Sequence, residues 1–110
     1  MRVDIWSDVR CPFCYIGKRK FEAGLEMFPH KDQIEVNWHS FQLDPNLETQ
    51  TDINVYDYFV ERKGVSPEQA ESMHRQVTQT AKDAGLQFNF DHSVVANSFN
   101  AHRLIQLAKT

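Results

Sequence analysis

The chain has 110 residues, of which 41% are hydrophobic and 25% are charged, as expected for one soluble globular domain with a modest core. Twelve basic residues against fifteen acidic ones give a net charge of −3, so the clustered positive charge typical of nucleic-acid-binding proteins is missing. No apolar run approaches the roughly 18 residues of a membrane span, and the first residues lack the apolar segment of a signal peptide. We therefore expect a cytoplasmic protein with no nucleic-acid partner and no membrane partner.

The first part of the chain predicts a strand, a helix and a second strand. Residues 2–7 alternate loosely and fit a short strand, and Pro12 stands where the first turn of a helix tolerates proline. Apolar residues then recur at steps of three and four until Pro29, which ends the helix. Residues 34–43 alternate again and predict a second strand, parallel to the first because a helix connects them. The expected unit is a βαβ motif.

The second part of the chain is predicted to be helical. Residues 55–64 indicate a short helix that ends at Gly64. The run Ser66-Pro67-Glu68-Gln69 provides an N-cap, a proline at the first helical position and a glutamine three residues after the cap. This pattern predicts a long helix that Gly85 terminates. A last helix is predicted from about Ser93 and is still running at residue 110.

Two predicted features look unfinished. A two-stranded parallel sheet cannot cover both its faces and its edges, and the last helix has no C-terminal cap. We therefore expect either that the chain is the front part of a longer protein, or that a second copy supplies the missing sheet edges in a homodimer.

The two cysteines form a C-x-x-C motif, Cys11-Pro12-Phe13-Cys14, between the first strand and the first helix. Next to a βαβ pattern this motif is typical of thioredoxin-like redox sites. Cys11 would face the free N–H groups at the helix start, which favour a thiolate, and Cys14 would lie on the same side one turn later. Pro12 and Phe13 offer no side-chain hydrogen bond, so stabilisation of that thiolate would depend on backbone N–H groups.

Two other interpretations of the cysteine pair remain open: two buried, inert side chains, or half of a zinc site. Zinc would need two further ligands, and the five histidines are dispersed without the paired spacing of a zinc site. We therefore expect no bound metal.

Four further residues are candidates for lining the site. Asp8 could accept a proton from a cysteine or simply cap the helix, and Tyr15 could border the cysteines or pack on the sheet. His39, on the second strand, could favour a thiolate or be structural. Asn97 could position a substrate or contact glutathione, or it could bond to the local backbone.

The stretch Ser7-Asp8-Val9-Arg10-Cys11-Pro12-Phe13-Cys14-Tyr15-Ile16-Gly17-Lys18 resembles the active-site segment of DsbA-like thioredoxin-fold proteins, and most closely that of their cytoplasmic FrnE-type branch. The later stretch Asn97-Ser98-Phe99-Asn100-Ala101-His102-Arg103-Leu104 is similar to a helix in the α-helical insertion of that family. The resemblance implies an α/β fold, in which a thioredoxin-like βαβ unit is interrupted by an α-helical insertion domain. Residues 1–47 would be the first half of the thioredoxin-like domain, and residues 48–110 the start of the insertion. The C-terminal strands and helix of the fold would be missing.

The resemblance also implies a function. Cys11 would be the nucleophile and Cys14 the resolving thiol of a thiol–disulfide oxidoreductase that acts on protein or small-molecule disulfides. It would bind no cofactor, although glutathione could be its redox partner. In the family a cis-proline completes the site, and no proline follows Pro67 here.

Two alternatives stand beside this function. Kappa-class glutathione transferases and hydroxychromene carboxylate isomerases share the interrupted fold but typically have serine where Cys11 stands. The third hypothesis is an inactive fragment that a partner chain completes.

Overall fold

A computed structural model describes all 110 residues and contains two strands and four α-helices. Two short 3-10 turns lie at Lys31–Gln33 and Phe90–His92. None of the helices combines the length and apolar character that crossing a membrane requires. The mixed α/β class predicted from the sequence is confirmed. In chain order the elements are β1 (Arg2–Ser7), α1 (Pro12–Glu26), β2 (Glu35–Ser40), α2 (Val55–Lys63), α3 (Pro67–Asp83) and α4 (Phe99–Ala108).

The two strands pair in parallel, as the βαβ prediction required. The register runs from Arg2 opposite Glu35 to Ser7 opposite Ser40. The N–H of Phe41 donates to the carbonyl of Ser7 at 3.1 Å. β2 ends at Ser40, before the predicted end near residue 43, because β1 offers no further residue for pairing.

The helix α1 begins directly after Cys11, which is its N-cap residue in an extended conformation, and Pro12 follows at the first helical position. Its C-cap is Met27, two residues short of Pro29. The residue that precedes a proline is disfavoured in the helical region, so the helix ends earlier than the proline itself. Ile16 is its one fully buried side chain.

The capping box predicted at the start of α3 is present. The N–H of Gln69 donates to the Ser66 hydroxyl at 3.1 Å, and the Gln69 side-chain oxygen accepts from the N–H of Ser66 at 2.9 Å. At the other end Ala84 is the cap residue, and Gly85 follows it with a left-handed φ of 82°. The glycine thus stands one position past the cap, as is common at helix ends.

The predicted start of α4 is wrong: the helix begins at Phe99 and not near Ser93. The intervening backbone is engaged elsewhere, because Val95 forms an antiparallel bridge with Gln50. The N–H of Asn97 donates to the Thr49 hydroxyl at 3.0 Å. These contacts hold the segment in an extended form.

The chain divides into two compact units. The first comprises Met1–Pro45 and Ser98–Thr110, and the second is Asn46–Asn97. The assignment of residues 48–110 to the start of the insertion stays a prediction; α4 groups with β1, α1 and β2 in the first unit. In the second unit α2 contacts α3. A core of Leu47, Tyr58 and Val95, with Ile53 and Phe59 packed against it, stabilises the second unit.

Candidate redox site

The two cysteines lie at the start of α1 in the first unit. Both are half-buried free thiols. The N–H of Cys14 donates to the carbonyl oxygen of Cys11 at 3.1 Å, which closes the first turn of the helix. This turn brings the two side chains to the same side of the helix, as their spacing predicted.

Burial raises the pKa of the Cys11 thiol above its ordinary value. The backbone N–H groups of Cys14 and Phe13 act in the opposite direction, and the neighbouring Cys14 thiol adds to the rise. The N–H groups at the helix start thus lower the pKa of Cys11, but the loss of hydration on burial raises it by more. The net direction of the Cys11 pKa is therefore upward.

Asp8 is the most buried of the predicted site residues, with 1% of its surface exposed. Its carboxylate accepts hydrogen bonds from the N–H of Leu43 at 3.0 Å and from the N–H of Arg10 at 3.4 Å. Burial raises the pKa of Asp8, but the hydrogen bonds to its carboxylate, which include those from Ser98 and His102, lower it by more. The net direction of the Asp8 pKa is therefore downward. Asp8 is therefore an ionised carboxylate held by donors, and not a helix cap.

His102, on α4, is a site residue that was not selected from the sequence. Its Nε2–H donates to Oδ1 of Asp8 at 3.1 Å, and the imidazole is 6% exposed. The available signal was the stretch Asn97-Ser98-Phe99-Asn100-Ala101-His102-Arg103-Leu104, which carries the family resemblance. Nothing in that stretch indicated that His102 would contact Asp8, which lies 94 positions earlier in the chain.

Two aromatic residues, one between the cysteines and one directly after them, are exposed to solvent. Phe13 is 62% exposed and Tyr15 is 45% exposed, while Pro12 is the first residue of α1 and is half-buried. The Tyr15 hydroxyl accepts a long hydrogen bond of 3.5 Å from Arg19, whose guanidinium also lies over the Tyr15 ring. Tyr15 thus lies partly exposed on α1, one residue after Cys14, with Arg19 as its partner.

His39 is engaged on the sheet. Its Nε2 donates to Oδ1 of Asp4 at 2.9 Å, and its ring stacks on Trp6 with ring centres 4.7 Å apart. This bond lowers the pKa of Asp4. The structure therefore gives His39 partners on the neighbouring strand and no hydrogen bond to a cysteine.

Asn97 belongs to the second unit. Its side-chain amide donates to the carbonyl of Leu47 at 2.7 Å, and its N–H contacts Thr49. These partners lie 50 and 48 positions earlier in the chain, so Asn97 bonds to a distant segment of the second unit and not to the local backbone. No group of three or more His, Cys, Asp or Glu side chains is arranged to hold a metal ion.

The comparisons with known proteins agree with this architecture. The DSBA-like thioredoxin domain family matches residues 2–110. The crystal structure of a probable DsbA oxidoreductase from Streptomyces coelicolor superposes with a TM-score of 0.90 at 40% sequence identity, over 99% of this chain and 47% of that one. The uncharacterized protein YwbO of Bacillus subtilis is 38% identical over 52 residues, which are 47% of this chain and 24% of that protein.

The family match covers nearly the whole chain, and the solved structure that superposes on it is that of a probable oxidoreductase. The chain belongs to the DSBA-like thioredoxin domain family. The chain covers about half the length of the solved relative, and its match to YwbO covers about a quarter of that protein. Assignment to the FrnE-type branch stays a prediction.

Proposed function

We propose that this chain carries the dithiol–disulfide exchange site of an oxidoreductase, with Cys11 as the nucleophile and Cys14 as the resolving thiol. The observation that supports this proposal best is their placement. Cys11 is the N-cap residue of α1, and Cys14 lies in the first turn with its N–H bonded to the Cys11 carbonyl. A thiol at a helix start, with a second thiol one turn away, has the arrangement that disulfide exchange requires.

The exchange proceeds in two steps. The thiolate of Cys11 attacks one sulfur of a substrate disulfide, forms a mixed disulfide and releases the other substrate sulfur as a thiolate. The thiolate of Cys14 then attacks the Cys11 sulfur and releases the second substrate thiolate. The substrate gains two electrons and the chain retains an intramolecular Cys11–Cys14 disulfide. The reverse sequence oxidises a dithiol.

The surface around the cysteines supports a disulfide in a peptide as substrate. Val9, Phe13 and Tyr15 are 56%, 62% and 45% exposed, and they lie before, between and after the two cysteines in sequence. Exposed apolar side chains of this kind favour contact with an extended, partly apolar chain. In the proposal no cofactor is bound, and glutathione is the small-molecule redox partner.

The test compares Cys11→Ser and Cys14→Ser in the reduction of a peptide disulfide with glutathione as reductant. We expect Cys11→Ser to lose turnover. Incubated with the peptide disulfide before glutathione is added, Cys14→Ser should accumulate a mixed disulfide through Cys11, visible as a mass increase equal to the substrate thiol minus two hydrogens. The Cys11→Ser/Cys14→Ser double variant is the control for background exchange. Turnover retained by Cys11→Ser would exclude Cys11 as the nucleophile.

A further inference from the structure

One buried carboxylate joins three separate segments of the first unit. Asp8 lies in the loop between β1 and α1, and its Oδ2 accepts the N–H of Leu43 at 3.0 Å, from the segment after β2. Its Oδ1 accepts the Nε2–H of His102, from α4, at 3.1 Å. Its side chain is completely buried in the first unit. The position of this loop is therefore fixed by groups 35 and 94 positions further along the chain.

The histidine contributes to this arrangement through one nitrogen. The Nδ1 atom of His102 is buried and has no hydrogen-bond partner. An unpartnered buried nitrogen is unfavourable, and an aliphatic side chain would avoid that cost. Of the two ring nitrogens of His102, only Nε2 has a hydrogen-bond partner, the carboxylate of Asp8. Because a carboxylate only accepts hydrogen bonds, Nε2 must carry the proton in this contact.

The same aspartate holds the nucleophile's backbone. The N–H of Cys11 donates to the carbonyl oxygen of Asp8 at 3.2 Å, and the N–H of Arg10 donates to its carboxylate at 3.4 Å. The turn from residue 8 to residue 11 is thus closed by Asp8 through both its main chain and its side chain. A movement of the Asp8 side chain would shift the turn and change how far the Cys11 thiol is buried.

We propose that His102 is a positioning residue for the Cys11–Cys14 site: it holds the carboxylate of Asp8, and Asp8 holds the loop in the conformation that buries Cys11. This inference rests on the proposed function of the two cysteines. His102 touches neither thiol and takes no part in the exchange itself. Its loss frees the turn and hydrates Cys11, so the thiol returns toward the behaviour of an exposed cysteine.

The test measures the alkylation rate of Cys11 against pH in a Cys14→Ser background, so that only one thiol reacts. With His102→Leu we expect a lower apparent pKa and, near neutral pH, a rate at least about threefold higher, the change that corresponds to about half a pH unit in the thiolate fraction. His102→Gln keeps an N–H that can reach Asp8, and its rate should stay within about twofold of the parent. Circular dichroism verifies that each variant is folded.

The matched control is His74→Leu. His74 is a second buried histidine, 5% exposed, in the second unit, where Nδ1 contacts the carbonyl of Ala70 at 2.7 Å. This variant also removes a buried imidazole, but it should leave the alkylation profile of Cys11 unchanged. An equal acceleration in His74→Leu and His102→Leu would show a general loss of stability and overturn the positioning role.

A folded His102→Leu with the parent's alkylation profile would also overturn the proposal. If His102→Leu does not fold, His102→Asn replaces it, because the shorter asparagine amide falls short of Asp8 whereas glutamine reaches it. Equal rates in His102→Asn and His102→Gln would then overturn the role. Alkylation needs no turnover, so this result is separate from the Cys11→Ser assay that decides the proposed function.

Discussion

The N–H of Leu43 donates to Oδ2 of Asp8 at 3.0 Å, which fastens the segment after β2 to the loop that leads into the cysteine motif. This bond joins the two segments that follow β1 and β2. The stability of the first unit and the geometry of its redox motif therefore depend on the same carboxylate.

Replacing Asp8 by alanine leaves the N–H of Leu43 and the Nε2–H of His102 without their acceptor. We expect Asp8→Ala to lower the free energy of unfolding by about 2–6 kcal/mol, since each of the two buried donors left unsatisfied costs about 1–3 kcal/mol. Urea unfolding followed by Trp6 and Trp38 fluorescence measures this change. Asp32→Ala, at an exposed position of a 3-10 turn, is the control and should change stability by less than about 0.5 kcal/mol. Similar losses in both variants would contradict the role of Asp8.

The lowered pKa of Asp8 makes the first unit sensitive to acid. Its folded pKa lies below the unfolded value of about 3.9, so its contribution is complete above that pH and is lost as the pH falls through the folded pKa. We expect the wild-type chain to lose more stability below about pH 4 than Asp8→Asn does, since an amide does not titrate. Parallel stability curves for the two proteins between neutral and strongly acidic pH would refute this assignment.

The raised pKa of Cys11 predicts slow reaction near neutral pH and faster reaction in alkali. Thiolate absorbance measured against pH in the Cys14→Ser variant should give a midpoint above the ordinary value of about 8.5. The same titration in urea provides the reference for an exposed thiol. A midpoint below the denatured value would show that the N–H groups at the helix start outweigh burial after all.

Two glycines give opposite predictions for the same substitution. Gly64 ends α2 with a φ of 66°, which an L side chain rarely adopts, so Gly64→Ala should cost about 1 kcal/mol. Gly24 lies inside α1, where an added Cβ would meet no atom within 4 Å, so Gly24→Ala should stabilise the chain by about 0.5–1 kcal/mol. Thermal unfolding compares the two variants. Changes of the same sign would contradict the backbone argument.

The capping box of α3 can be tested in a similar way. Ser66→Ala removes the acceptor for the N–H of Gln69 and should cost about 1 kcal/mol. Ser72→Ala lies within the same helix, where alanine has the higher helix propensity, and should be neutral or slightly stabilising. Urea unfolding distinguishes them. Equal effects would mean that the cap contributes nothing beyond propensity.

Local signals in the sequence predicted much of the fold. The alternation in residues 2–7 and the Ser66–Gln69 capping pattern depend on neighbours in the chain, and β1 and α3 were predicted within a residue or two. The start of α4 depends instead on the bridge between Gln50 and Val95, which no local pattern indicates. Tertiary contacts thus decided the boundary that was predicted wrongly.

The candidate site also combines features that local sequence signals predict with features that depend on tertiary contacts. The cysteine pair is visible in the sequence because its spacing and the adjacent proline are local. The contact between Asp8 and His102 joins residues 94 positions apart, and the half-burial of Cys11 depends on the folded surroundings. The pKa direction of Cys11 could therefore not be predicted from a helix start alone, since desolvation is a property of the packed molecule.

The most direct test of the redox function is the reduction potential of the Cys11–Cys14 pair, measured by equilibration in glutathione buffers, thiol trapping and mass spectrometry. We expect an intramolecular disulfide in a two-electron equilibrium, with a potential between about −120 and −270 mV, the range of thioredoxin-like proteins. Thiols that never pair, or that pair only between chains, would contradict the proposed exchange site.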